Sequence, residues 1–324
     1  MKVLVVGGAG YIGSHMVYDL LRANHEVIVA DNLSTGRRSD VHPDAAFVQL
    51  DIRDRAALDK LFATHPGIDL VMHFAAKLIV PESVQHPLTY YSNNVDGVRV
   101  LVESMLAAGV NTLVFSSTAA VYGEPTLTRP LREDDPLAPI NPYGATKRAA
   151  EELIAAAGAA HGLNYAILRY FNAAGADSSG DLGLNKPHLT HLIPLATRAA
   201  LGMGPALTVY GTDWPTPDGT CIRDYIHVSD LTAAHLLAAE HLMDAGGSLT
   251  LNLGTNTGSS VLQVIDAVGT YSPCPYVTGP RRAGDPAQLV ADSTRARSVL
   301  GWEPVRSLDD IVRSDFYYRK YHSA

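Results

Sequence analysis

The chain has 324 residues, 47% of them hydrophobic, and a formal net charge of −8; it is long enough for one large domain with an appended lobe or for two domains, and with no basic block it lacks the electrostatic footprint of nucleic-acid binding. No apolar run approaches the ~18 residues needed to span a bilayer, and the first one, Val3 to Val6, is too short for a secretion signal and runs into glycines. The two cysteines, Cys221 and Cys274, have no metal-ligand or redox spacing, so the expectation is a cytoplasmic protein without disulfides, membrane or nucleic acid.

Short β-branched runs alternate with amphipathic stretches, the pattern of an α/β fold. Strands are predicted at Lys2–Val6, Glu26–Ala30, Phe47–Leu50, Leu70–Phe74, Thr112–Ser116 and Tyr165–Arg169. After the first of these, Met16, Val17, Leu20 and Leu21 recur at helical spacing, and Asn24 is a stop. Each βα unit is short enough for a right-handed crossover, which predicts a Rossmann-type, doubly wound parallel sheet. After Asn172 the character changes. Residues 176–224 are rich in Gly, Pro and Thr, with one helix expected around Leu192–Leu201, and read as a substrate lobe built on loops. From Val228 to Gly254 a helix and a strand are expected to return to the main sheet, and the chain ends in a helix near Leu308–Tyr321. The expected division is a dinucleotide-binding domain over 1–175 and about 228–256, with a smaller, mixed substrate-binding lobe over 176–227 and 257–324.

The strongest local signal is Val3-Leu-Val-Val-Gly7-Gly-Ala-Gly10-Tyr-Ile-Gly13, a glycine triplet after a strand and before a helix. Gly7 permits a tight turn, Gly10 lets the backbone approach a pyrophosphate, and Gly13 allows close helix–strand packing; the helix N-terminus then offers free N–H groups to phosphates. Asp31 closes the second strand, where a carboxylate bonds the adenosine ribose hydroxyls and repels a 2′-phosphate, so NAD is favoured over NADP. Arg37 and Arg38 read as solvated loop charges. Asp51 and Ile52 end the third predicted strand, where they flank the adenine; for Asp51 a helix cap is an equal alternative. Phe74, Ala75 and Ala76 end the fourth, where small residues let a cofactor cross the sheet edge.

Tyr143-Gly-Ala-Thr-Lys147 places a phenol and an ammonium on one side of a helix. A free tyrosine, with a pKa near ~10, is a poor base at neutral pH. A neighbouring ammonium and a positive nicotinamide favour the phenolate. Lys147 is also placed to hold the nicotinamide ribose, and Thr118, just after the fifth predicted strand, to bond the same substrate oxygen. Among the thirteen histidines, His188 and His191 lie three apart and His235 and His241 share a predicted helix. No third ligand has metal spacing, so they read as structural or solvated and no metal is expected.

These residues, with Gly7 to His15, Asp31-Asn32-Leu33, Glu82-Ser83-Val84, Tyr91 to Gly97, Asn141 to Lys147, Arg169 to Gly175 and Arg223 to Asp230, resemble the extended short-chain dehydrogenase/reductase family along nearly the whole chain, and within it the 4-epimerases of UDP-hexoses. The resemblance implies that Tyr143 removes the proton from the sugar 4-hydroxyl, assisted by Thr118, while the C4 hydride passes to tightly bound NAD. The 4-keto sugar then turns over and takes hydride back on its other face. It adds Tyr11, Ile12, Asn32, Asn93, Ser116 and Tyr170 to the cofactor contacts, and gives Asn172, Leu192, Tyr210, Arg223, Arg282 and Asp285 as contacts to UDP. Arginines suit a diphosphate because their bonds are bidentate and charge-assisted. By the residues alone, Tyr210 is equally a core residue and Asp285 equally a turn residue beside Gly284 and Pro286. A homodimer is implied, through helices near Asn93–Ala108 and Thr146–Ala160.

Four places bear on how closely the chain follows the family pattern. Val6 stands where Thr is usual. Lys77 takes the place of a lysine that contacts the cofactor. The stretch Val268 to Pro275 is about two residues short, so a local helix should end early. Leu289 occupies the position that limits the hexose pocket, where Tyr excludes N-acetyl sugars and a small residue admits them. Two rival functions share the scaffold: a sugar-nucleotide 4,6-dehydratase or decarboxylase, and a non-catalytic NAD-sensing protein. The first class needs acid–base groups just after Thr118, where this chain has Ala119 and Ala120. The second has no use for Tyr143, Lys147 and Thr118 together.

Overall fold

The computed structural model describes residues 1–125, 129–185, 189–245, 247–282 and 285–322. In chain order, β1 (Lys2–Val6), α1 (Tyr11–Arg22), β2 (Glu26–Asp31), β3 (Ala46–Gln49), α2 (Arg55–Thr64) and β4 (Leu70–His73) come first. Short helices α3 (Val80–Gln85) and α4 (Pro87–Tyr91) lead through a π-turn at Ser92–Asp96 into α5 (Gly97–Ala107). Next are β5 (Thr112–Thr118), α6 (Pro142–His161), β6 (Asn164–Tyr170) and β7 (Asn172–Ala174). The rest comprises α7 (Leu192–Ala200), β8 (Leu207–Tyr210), β9 (Ile222–Arg223), β10 (Tyr225–His227), α8 (Val228–Ala245), β11 (Leu249–Leu253), β12 (Ser259–Ser260), α9 (Val261–Gly269), β13 (Tyr276–Gly279), β14 (Gln288–Leu289), α10 (Thr294–Leu300) and α11 (Leu308–Tyr321). Among the described residues no helix is long and apolar enough to cross a membrane.

Seven strands form one sheet in the order β11-β6-β5-β4-β1-β2-β3. The pairs β1–β2, β1–β4, β2–β3 and β4–β5 run parallel. The chain first builds outward from β1 to β3 and then restarts at β4 on the other side, so β1 and β4 bound the switch point where open α/β sheets hold ligands. Val3 to Val6 are fully buried, as a strand covered by helices on both faces requires, and this is why β1 reads as an unbroken apolar run. The expected return of the chain to the main sheet is found in α8 and β11.

The chain divides into two compact units. One comprises 1–123, 135–169 and 232–251. Its core joins Leu4, Val6 and Ile28 of the sheet to Leu58, Leu101, Met105 and Ile154 of α2, α5 and α6. The other comprises 124–134, 170–231 and 252–324. Its core packs Ile193 and Ala196 of α7 with Val264 and Val268 of α9 and Ile311 and Val312 of α11. This second unit carries more strand than the loop-built lobe expected: β7 pairs with β10, β8 with β13, and β9 with both β12 and β14.

The strand ends correct three expectations. β3 stops at Gln49, so Asp51 and Ile52 lie beyond it, and β4 stops at His73, one residue before Phe74. β5 continues two residues further than expected, making Thr118 its last residue. Helix α9 stops at Gly269, at the start of the stretch Val268 to Pro275.

Candidate active site

The glycine turn follows directly from its residues. Gly7 has φ +83°, and a Cβ there would meet the Ala75 nitrogen at 2.5 Å. A Cβ on Gly13 would run into the Gly7 carbonyl oxygen, and one on Gly10 would lie 3.2 Å from that oxygen. Only glycine lets the turn close this tightly. Gly10 is the N-cap of α1 and makes no side-chain cap bond. Asp31 braces the loop: its carboxylate accepts from the Ala9 amide at 3.0 Å and the Leu33 amide at 2.8 Å.

The neighbouring candidates sort less evenly. Asp51 accepts from Arg53 at 2.7 and 2.9 Å and from Asn32 at 3.4 Å. The Arg53 bonds hold its pKa down to about 2. The helix-cap alternative for Asp51 is wrong, because α2 is capped by Asp54, which accepts from the Ala57 amide. Ile52 is buried in the core and lies against Gly97, where a Cβ would meet it at 2.5 Å. Arg38 is not simply solvated, since its guanidinium sits 4.6 Å from the centre of the Phe47 ring. The Phe74 ring lies 4.9 Å from that of His235, tilted to it by 33°, and the His235 ring is hydrogen-bonded to the Ser116 hydroxyl at 3.1 Å. Of the other histidines considered as ligands, His188 lies outside the described residues, as does Gly284.

The π-turn carries Asn93 and Asn94, and sequence reasoning singled out only the first. Asn94 is buried and clamps Lys77 by its backbone, accepting from the amide and donating to the carbonyl at 2.9 Å each. It also donates to the Thr146 hydroxyl at 3.1 Å and accepts from Asn93 at 2.9 Å. Lys77 itself points to Glu82 at 3.4 Å. A single π-turn inside a helix re-aims one side chain, which periodicity averages away.

Helix α6 presents the catalytic candidates. Asn141 caps it, accepting from the Gly144 amide at 2.9 Å, Pro142 opens it, and Gly162 ends it at φ +70°. Tyr143 and Lys147 therefore share a face one turn apart. The Lys147 ammonium donates to the Ser116 carbonyl at 2.6 Å and lies 4.4 Å from the Phe115 ring centre. Burial brings its pKa down to about 7, opposed by the charge of Glu151. The Thr118 side chain beside the Tyr143 phenol lowers its pKa, but burial is the larger influence and pushes it up. The expected lowering of the phenol by the ammonium is thus not the main effect: Lys147 is turned toward Ser116, and desolvation dominates.

In the second unit, Arg223, Asp285 and Leu289 come together because β14 pairs with β9 and sets Leu289 beside Arg223. The Arg223 guanidinium donates to the carbonyls of Ile222 and Pro286 at 2.8 Å and lies 3.5 Å from the Asp285 carboxylate. Asp285 also closes a turn, its amide bonding the Arg282 carbonyl at 3.3 Å. Tyr210 is 41% exposed at the end of β8, which removes the core reading, and Arg282 lies 4.4 Å over its ring. Asn172 starts β7 and donates to the Asp224 carbonyl at 3.2 Å, while Leu192 opens α7 and packs on that unit's core. Tyr170 ends β6.

Residues 3–254 match a family model described as Epimerase: NAD dependent epimerase/dehydratase family. The chain belongs to that family. A UDP-glucose 4-epimerase of Azospirillum brasilense is 51% identical to this epimerase-family chain over 316 residues, covering 97% of it and 90% of the relative. The crystal structure of UDP-glucose 4-epimerase from Brucella ovis in complex with NAD superposes with a TM-score of 0.94 at 46% identity, covering 98% of each chain. That of the enzyme from Bifidobacterium longum in complex with NAD+ and UDP gives 0.92 at 37% identity, covering 100% of this chain and 99% of that one. The α/β fold and the NAD dependence expected from the sequence are those of the family. The residues fit the cofactor, because Gly7, Gly10 and Gly13, where a Cβ would crowd neighbouring backbone, close a tight turn free of side chains at the start of α1, as a dinucleotide's phosphates require.

Proposed function

We propose that this chain interconverts UDP-glucose and UDP-galactose by inverting C4 of the hexose, with NAD held throughout. The observation that carries this reading is the placing of the Tyr143 phenol beside Thr118 at the end of β5, with Lys147 one helical turn along on α6 and bonded to the Ser116 carbonyl. Gly7, Gly10, Tyr11, Ile12, Gly13, Asp31 and Asn32 would hold the cofactor's phosphates and adenosine, and Phe74, Ala75, Ala76, Ser116, Tyr143 and Lys147 its nicotinamide end. Bound there, NAD supplies a reversible two-electron acceptor, so C4 can be oxidised and reduced with no net change.

The chain's own part is proton transfer and grip. Tyr143 takes the 4-hydroxyl proton of one epimer and returns it to the other, so the proton balance closes. Thr118 donates to the phenolic oxygen, which stabilises the charged form that accepts the proton. Arg223 and Arg282 suit the diphosphate, Asp285 the ribose hydroxyls and Tyr210 the uracil face. The hexose must turn over between the two halves of the reaction, so the nucleotide has to be gripped firmly and the sugar loosely. Ala119 and Ala120 follow Thr118 and carry no group for the acid–base elimination that a dehydratase needs.

The purified protein, given UDP-galactose and no added NAD, should form UDP-glucose. A chain that retains NAD and gives no turnover would instead be a sensor on this scaffold. At Leu289, replacement by tyrosine should lower any turnover of UDP-N-acetylglucosamine at least about tenfold more than turnover of UDP-glucose, the discrimination a blocked apolar pocket can supply. Equal losses on the two substrates, measured as kcat/KM, would remove Leu289 from the pocket.

A further inference from the structure

Four residues beyond Lys147, the same face of α6 carries Glu151, so Tyr143, Lys147 and Glu151 form one row along the helix. Glu151 is 5% exposed, and its carboxylate is fully engaged. Arg169 of β6, itself buried, donates to it at 3.0 and 3.1 Å through Nε and at 2.7 Å through a terminal nitrogen. The same guanidinium donates to the buried Tyr122 hydroxyl at 3.1 Å. The remaining bond comes from Ser117 of β5, whose buried hydroxyl donates to Glu151.

Ser117 is the informative partner. It sits between Ser116, whose carbonyl receives the Lys147 ammonium, and Thr118, which lies beside the Tyr143 phenol. Glu151 thus holds β5 one residue away from both the Ser116 carbonyl and Thr118. A buried ion pair is a weak source of stability, since apolar residues of similar volume often do as well, while its geometry is highly specified.

We propose that Glu151 is a positioning residue for the epimerisation: through Ser117 and Arg169 it locks α6 to the end of β5, so that the Tyr143 phenol, the Lys147 ammonium and the Thr118 hydroxyl keep one mutual geometry. This rests on the function proposed above. Glu151 also faces Lys147 electrostatically. The groups around that ammonium are the Ser116 carbonyl and Phe115 ring of β5, His73 of β4, Tyr143 and Glu151 of α6, and, behind Glu151, Arg169 of β6. Burial, and the Lys147 charge, bring the His73 pKa down to about 3, so that ring adds no charge near neutral pH. Glu151 is thus the anion that opposes the desolvation of Lys147.

The test uses the full chain as purified with its cofactor, in Glu151→Gln, Ser117→Ala and Tyr143→Phe forms. Glu151→Gln should lower kcat about 10²-fold, the scale of a reacting group displaced by an ångström. KM for UDP-galactose should stay within about threefold, because the nucleotide contacts are elsewhere. Ser117→Ala, which keeps the ion pair and loses one hydrogen bond, should lower kcat about tenfold. The Lys147 Cε resonance in 13C-lysine-labelled protein should titrate at lower pH in Glu151→Gln than in the parent, with the ammonium lost earlier as pH rises. A purely structural Glu151 would lower the melting temperature and leave kcat per folded molecule and the Lys147 titration unchanged, which overturns the proposal. If Glu151→Gln does not fold, Ser117→Ala decides, and a kcat within twofold of the parent overturns it. An inactive Tyr143→Phe beside fully active Glu151→Gln and Ser117→Ala defeats the positioning role alone; a fully active Tyr143→Phe defeats the mechanism on which it rests.

Discussion

Tyr143→Phe should lower kcat for UDP-galactose by about 10³-fold, within the range that one positioned acid–base group supplies, while the purified variant keeps its NAD. The substitution removes one oxygen and leaves the ring, so the packing around α6 is preserved. What is lost is the phenolic oxygen beside Thr118, the atom proposed to take the substrate proton. Because burial already holds the phenol's pKa up, the unaided group is mostly protonated at neutral pH, and the enzyme depends on every contact that favours the phenolate. Turnover, together with the NAD released on denaturation, checks both halves of this expectation. A variant with near-normal kcat would remove Tyr143 from the chemistry, and one that lost its NAD would show that the effect is on binding.

Gly13→Ala is the second large effect. Its new methyl group would collide with the Gly7 carbonyl and approach the Gly8 Cα at 2.9 Å. These are backbone atoms, which cannot swing aside as a side-chain end would, so the turn between β1 and α1 must open. Overpacking of this kind costs about 1–3 kcal/mol, and the displacement falls on the amides expected to meet the pyrophosphate. Bound NAD per chain should therefore fall at least about tenfold, the equivalent of 1.4 kcal/mol, with a melting temperature a few degrees lower. Gly269→Ala is the matched control: the same methyl group at the end of α9 meets nothing within 4 Å, and neither quantity should change. NAD content equal to the parent's in Gly13→Ala would mean that the turn tolerates a side chain and that the reading of its glycines is wrong.

Much of the site could be read in the sequence because its physics is local. An unbroken apolar run beside spaced glycines specifies a buried parallel strand, a tight turn and a helix within one stretch of chain. Tyr143 and Lys147 could be paired because a helix brings residues four apart together whatever surrounds it. The same rule would have reached Glu151, but a carboxylate on a helix is usually a solvated one, and nothing near it in the sequence says that it is buried.

The boundaries and the partners were a different matter. Asp51 resembled a cap for the next helix, yet Asp54 takes that place, because the chain continues past β3 before α2 begins. Tyr210 was equally core or surface until β8 met β13 and turned its ring outward under Arg282.

The sequence by itself determined the alternation of strands and helices up to β6, the cofactor turn and the spacing of the phenol and ammonium, since each depends on neighbours within a turn or a strand. Only the tertiary structure decided that Ser117, Glu151 and Arg169 form one buried group, that Asn94 holds Lys77, and that burial outweighs charge at Tyr143. Those contacts join residues 17 to 34 positions apart, and desolvation depends on everything packed around a group, so no local pattern encodes them.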